Sequence, residues 1–164
     1  MWEADMRRPS TGTLLAGAVV VALIGASVRH RGGGVTASRL EDAFAPTFAN
    51  LVHLQRSILK LPEIDRAVLR ATAQCRKAGT TGRDAGGAGD WTCTVLWSSP
   101  GQRIPLQDAY DLSVSSDGCY TATADGSEAH IGGPTLTARD GATITNLLYT
   151  FEGCFDTTGT GALP

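Results

Sequence analysis

The spacing of apolar residues changes twice along the chain, and each change marks a different kind of element. Thr11 to Val28 is a run of 18 residues without a charged side chain, preceded by Arg7 and Arg8 and followed by Arg29, His30 and Arg31. At about 1.5 Å per residue, a helix of this length just crosses a hydrocarbon layer of about 30 Å. The run predicts an uncleaved signal anchor over residues 11–28, with residues 1–10 as a cytoplasmic tail. A cleaved signal peptide is the alternative, with Gly25 and Ser27 as the small residues before the cut. A buried core helix fits less well, because the segment is apolar on every face and borders Gly32-Gly33-Gly34. Arginine counts on the two flanks are equal, so the positive-inside rule does not decide orientation.

Beyond a Gly-rich linker at residues 29–37 the period becomes helical. Leu40, Phe44, Phe48, Leu51, Leu54, Ile58 and Leu61 recur at steps of three and four, which draws one apolar stripe. Ser38 and Glu41 match a capping box at its start. Pro46 falls inside the stripe, so either the helix kinks there or the main helix begins with Pro46 in its first turn. Pro62 marks the end. A second helix is expected from about Glu63 to Arg76, with Ile64, Val68, Ala71 and Cys75 on one face. The segment KAGTTGRDAGGAGD that follows Arg76 reads as a loop.

From Trp91 the period becomes two. Trp91, Cys93, Val95 and Trp97 share one strand face, with Thr92 and Thr94 opposite. Tyr110, Leu112 and Val114 alternate with Asp111, Ser113 and Ser115, and Asp117-Gly118 reads as a two-residue hairpin turn. That turn would place Cys119 on the face of Val114 and Leu112. A weaker strand near Thr135–Thr137 and a last one near Ile144–Phe151 flank Asp140-Gly141. In the last strand Leu147, Tyr149 and Phe151 face one way, and a glycine bulge at Gly153 would return Cys154 to the core side. The fold class is α+β. After the N-terminal transmembrane or signal helix, two helices pack on one face of an antiparallel β-sheet of four or five strands. The opposite face, rich in Thr, Ser and Asp, meets water. The exported domain covers residues 38–157, and residues 158–164 form a flexible tail.

Cysteine placement supplies the orientation that the flanking charges do not. Cys75, Cys93, Cys119 and Cys154 all follow the apolar run, and an even set confined to one side reads as disulfides in an oxidising compartment. Three pairings are possible, and Cys75–Cys93 with Cys119–Cys154 is the expected one. The first closes the Gly-rich loop and the second ties the final strand to the hairpin. No C-x-x-C spacing favours a redox pair or metal site.

The contexts Asp90-Trp91-Thr92-Cys93, Asp117-Gly118-Cys119-Tyr120 and Phe151-Glu152-Gly153-Cys154-Phe155-Asp156 resemble those of a group of actinobacterial envelope proteins. These have one N-terminal hydrophobic segment followed by a four-cysteine exported domain. The resemblance covers roughly residues 35–157. It implies an exported location and carries no assigned activity.

Charge and the remaining chemistry narrow the function. The 164 residues carry a formal net charge of −2 with a pI of about 5.9, which gives no footprint for nucleic acid. Residues 36–83 hold six Arg and two Lys against four acids, whereas residues 84–164 hold two Arg against ten acids. Arg56, Lys60, Arg66 and Arg70 are therefore candidate contacts with an anionic lipid or wall polymer just outside the anchor. His30, His53 and His130 are too far apart in sequence to suggest a ligand pair, and no nucleophile elbow, phosphate loop or dinucleotide fingerprint occurs. No cofactor is expected. The reading is a non-enzymatic, membrane-tethered extracytoplasmic binding module of the cell envelope, single-pass through residues 11–28, with an unidentified envelope protein or anionic polymer as partner. An accessory subunit of a membrane complex and a small secreted hydrolase using His53 or His130 are the alternatives.

Overall fold

A computed structural model describes residues 34–81, 85–126 and 130–158 of the chain. The expected span at 11–28 lies outside these residues, as do 159–164 of the expected tail. Among the described residues no helix is long and apolar enough to cross a membrane. The elements run α1 (Ala37–Ile58), α2 (Arg66–Leu69), β1 (Thr72–Lys77), β2 (Gly89–Trp97), β3 (Leu106–Val114), β4 (Cys119–Ala124), β5 (Thr135–Thr137), β6 (Thr143–Thr145) and β7 (Thr150–Cys154). Five strands form one antiparallel sheet in the order β1-β2-β3-β4-β7, and β5 pairs with β6 as a separate hairpin. The fold is α+β, as the periodicity implies, with one long helix over the sheet.

The helix forms because its apolar residues leave one continuous stripe for the sheet to cover. Leu40, Phe44, Phe48 and Val52 are buried, and Phe44 packs against Tyr110, Tyr120 and Phe151 at ring separations of 5.4, 5.9 and 5.4 Å. Phe48 meets Trp97 and Tyr110. The stripe then turns away from the sheet, so Leu54 and Ile58, expected in it, are exposed, and Val52 and Gln55 take their place in the interior. Pro46 neither breaks nor restarts the helix. It lies on the exposed side, and the buried Phe44 and Phe48 on either side of it hold both halves to the same sheet face.

Several local expectations are corrected. The N-cap is Thr36, whose hydroxyl accepts from the Arg39 N–H; Ser38 is already helical, and Glu41 instead accepts the Cys75 N–H at 2.8 Å. The second helix is one turn long, capped by Asp65 and stopped at Arg70, whose backbone is left-handed. Residues 72–76, expected as its continuation, belong to strand β1 (Thr72–Lys77), in register with β2 from Thr72 opposite Leu96 to Lys77 opposite Trp91. Ile64, Val68 and Ala71 do fit a helical spacing, but the chain gains a full strand's hydrogen bonds by pairing, and Val68 is left exposed.

The β3–β4 turn contains three residues, Ser116, Asp117 and Gly118. Ser115 pairs with Cys119 through its N–H, and Gly118 takes a positive φ, the pattern of a type I turn closed by a left-handed glycine. One extra turn residue shifts the register by one, so Tyr120 faces inward opposite Val114 and Cys119 faces outward. Cys154 is exposed for the same reason, since it stands opposite Cys119 by plain alternation without a bulge. Gly153 serves another purpose. It lies beneath the Tyr120 ring, where a Cβ would collide with the phenol. The final strand near 144–151 also divides: β6 joins the hairpin, the chain turns at Asn146, and Leu148 rather than Leu147 is buried.

Both expected disulfides are present, Cys75–Cys93 and Cys119–Cys154. Each joins residues directly opposed on neighbouring strands, with Cα atoms 4.1 and 3.9 Å apart. Such proximity belongs to the positions of an antiparallel ladder that exchange no backbone hydrogen bonds. Closing segments with sequence separations of 18 and 35 is worth roughly 3 and 4 kcal/mol in the loop-entropy description.

Phe44 touches three aromatic rings from three strands, so its truncation leaves a cavity that the sheet cannot close. Phe44→Ala is expected to lower the unfolding free energy by about 3–5 kcal/mol. A urea titration of the oxidised chain checks this, and a loss below 1 kcal/mol would mean that the helix does not cover the sheet as described.

Candidate functional site

The corner where α1 ends gathers most of the side chains with chemical potential. After Ile58 the chain turns at Leu59 and Lys60, runs past Pro62 and enters α2. On the other side stand the end of β2, the segment around His130 and the β5–β6 hairpin. Between them lies a cavity of about 180 Å³, lined mainly by apolar side chains including Leu59, Leu61, Ile64, Leu136 and Leu148, with Gln55, Arg56, Ser99 and His130 as its polar members.

Two buried polar groups organise its walls. Asp108 is 1% exposed and accepts from Trp97 Nε1 at 2.7 Å and from the His130 backbone N–H at 2.6 Å. The His130 ring turns Nδ1 toward Gln107 O, 3.1 Å away, and stands 3.5 Å from Asp108 Oδ1. Asn146, likewise buried, donates to the carbonyls of Ile131 and Gly133 and accepts from the Leu148 N–H. Tyr110 completes this layer by donating its hydroxyl to Leu148 O at 2.9 Å. Burial, and secondarily the charge of Asp108, push its ionisation well above the ordinary tyrosine range. Tyr110 therefore stays a neutral donor.

Gln55 is the exception among these groups. It is 3% exposed, and its Oε1 accepts the Leu147 N–H at 2.6 Å. That bond fixes the orientation of the amide. Its Nε2 is buried without a hydrogen-bond partner among the described residues. No sequence signal marked Gln55, since a glutamine inside an amphipathic stripe looks like an interruption of it.

Of the four basic candidates only Arg56 lines the cavity, and they are not a free cluster. Arg56 donates through Nε and Nη2 to Pro62 O, closing the turn after α1. Lys60 pairs with Asp140 at the tip of the β5–β6 hairpin. Arg66 donates to Asn50 Oδ1, and Arg70 is exposed at the end of α2. His53 is apart from His130, in a shallow surface cleft with Glu63, Asp65 and Arg66. Ser99 and His130 both line the cavity, and no hydrogen bond links them. Among the described residues no group of three or more His, Cys, Asp or Glu is placed to hold a metal ion.

The Lys60 pair gives a pH-dependent test. The Lys60 ammonium, and next the Ala142 N–H, hold the Asp140 carboxyl below the usual aspartate range. A depressed folded value contributes stability above the unfolded value of about 3.9 and loses it as pH falls through the folded one. Lys60→Met should therefore lower Tm slightly at pH 7 and not at pH 2, and NMR should show Asp140 titrating closer to 3.9. Unchanged titration of Asp140 would show that the pair does not form in solution.

No protein-family model, curated protein or solved structure matches the chain, so the reading of this site rests on its own residues.

Proposed function

We propose that the chain is an exported, membrane-tethered module of the cell envelope that binds another envelope component without transforming it. The observation that carries this reading is the oxidised state of all four cysteines, with one bridge facing solvent: Cys154 is exposed and Cys119 half-buried. A solvent-facing disulfide is at the mercy of its surroundings, and cytosolic thiols would keep it reduced. The apolar run at 11–28, with its arginine flanks, supplies the tether. The resemblance to four-cysteine actinobacterial envelope proteins points the same way. A binding role uses the corner as it stands, whereas hydrolysis would first require Ser99 and His130 to meet. Arg56, Lys60, Arg66 and Arg70 are the candidate contacts of this module with an anionic surface.

Labelling of intact cells tests the location. A membrane-impermeant maleimide should find no thiol in the native chain, and after an impermeant reductant it should label Cys119 and Cys154 before the buried Cys75 and Cys93. Free thiols, or labelling only after lysis, would overturn the exported reading. Binding to anionic vesicles should weaken with salt and disappear when Arg56, Lys60, Arg66 and Arg70 are changed together to Gln, since each is worth on the order of 1 kcal/mol at such a surface. Equal binding by wild type and the quadruple variant would assign these residues to the fold alone.

A further inference from the structure

We infer that the outer margin of β7 is a docking site for an extended segment of a partner protein, added to the sheet as a new outer strand whose residues alternate between apolar and basic or neutral polar. The site lies away from the corner at the end of α1 and does not depend on what binds there.

The backbone fixes the kind of occupant. Among the described residues β7 pairs with β4 alone. The Ala124 N–H donates to Tyr149 O and the Phe155 N–H to Gly118 O, which sets the phase of the ladder. Phe151 and Gly153 exchange bonds with β4, and the N–H and C=O groups of Thr150, Glu152 and Cys154 point outward. None of these outward groups bonds to another described residue. β7 is paired residue for residue without a bulge and holds neither Lys nor Pro, the common devices for blunting an edge. Another extended backbone is what matches such a row of groups.

The helix supplies an apolar wall beside that edge. Glu41 reaches β1, and Phe44 touches Phe151 of β7, so the flank of α1 beyond Phe44 belongs to the β7 side. Thr47 and Leu54 stand there, roughly 120–140° round the axis from Glu41, with Leu51 between them and the core. Thr47 spends its hydroxyl on Ala43 O, at 2.8 Å, and Leu54 is 49% exposed. Gln55 meets Leu147 just before β7, so these residues lie level with the first part of the strand. Residues of a new strand opposite Phe151 and Gly153 share their face of the sheet and meet this wall.

Charge selects between partners. Glu152, the one charged residue of β7, is exposed on the open face, and its neighbour on β4 is the uncharged Thr121. A cation opposite Glu152 is therefore favoured. A second copy fits less well, because the register that uses all three outward residues of both strands sets the two Glu152 side chains directly opposite one another.

The probe is a blocked heptapeptide, TVKVTVT, titrated into the full-length oxidised chain in mild detergent and read by NMR and hydrogen exchange. It should slow exchange of the Thr150, Glu152 and Cys154 amides and leave those of Phe151 and Gly153, already paired, unchanged. The acidic peptide TVEVTVT should bind at least threefold more weakly, and Glu152→Lys should reverse that order. N-methylation of the lysine and the threonine after it, whose N–H groups would face β7, should weaken binding at least tenfold, whereas N-methylation of the two valines flanking that lysine should change it less than threefold. Leu54→Asp, at an exposed position, should weaken binding at least threefold without lowering Tm. No binding, protection centred on β1, or binding that ignores the methyl positions, the charge at 152 or Leu54→Asp would overturn the inference. So would concentration-dependent protection of Thr150, Glu152 and Cys154 in the chain alone, which would assign this margin to a second copy. None of these results bears on the labelling of the four cysteines, so the two proposals fail separately.

Discussion

Phe44 and Phe48, one turn apart on α1, both pack against Tyr110 at steep interplanar angles of 67° and 75°, and this contact sets the geometry of the domain. Tyr110 lies on the central strand of the five, so a helix seated over it covers the sheet from its middle outward. Rings meeting edge to face gain contact energy beyond their buried area. The same seating positions the C-terminal turn of α1 over the end of β2, where Phe48 meets Trp97 and Gln55 reaches Leu147. The cavity exists because the helix axis is fixed by the rings while the side chains beyond Val52 are smaller or polar.

A single helix cannot hold both margins of a five-stranded sheet equally well. Both disulfides lie at those margins, since Cys75–Cys93 joins the outer strand β1 to β2 and Cys119–Cys154 joins the opposite outer strand β7 to β4. One bridge is on the helix-covered face and the other on the open face. The staples thus tie each outer strand covalently to its neighbour, which suits a domain whose total stability is of the order of 5–15 kcal/mol.

Residues with a strong period were legible in the sequence. The alternation of Trp91, Cys93, Val95 and Trp97 gave the buried face of β2, and the steps from Leu40 to Phe48 gave the buried face of α1; the cysteine pairing was legible from the loops each bridge closes, although Cys75 lies on a strand and Cys119 and Cys154 are not on the core face. Two kinds of information were hidden. Turn length is set by backbone geometry that Asp117-Gly118 shares between two- and three-residue loops, and one residue there moved Cys119 and Tyr120 to opposite faces. Short segments such as Thr72–Lys77 satisfy helical and strand periods alike until a partner strand decides. The cavity was invisible for a third reason. Gln55, His130 and Leu136 come from distant parts of the chain and share no motif, so nothing local binds them together in the sequence.

The bond from the Cys75 N–H to Glu41 has a consequence for how copies of this chain meet. β1 is a free margin of the sheet, and Ala78 N–H donating to Asp90 O sets the ladder phase so that the Cys75 N–H points away from β2. An unpaired N–H at mid-strand is an invitation for another chain to add itself there. Glu41 already occupies it, and its carboxylate would stand against the carbonyls of any incoming strand. Arg76 is exposed on the same short strand, adding a charge that an apolar strand would have to bury. The helix that covers the core thereby also guards the margin, and copies of the chain are kept from growing into a continuous sheet.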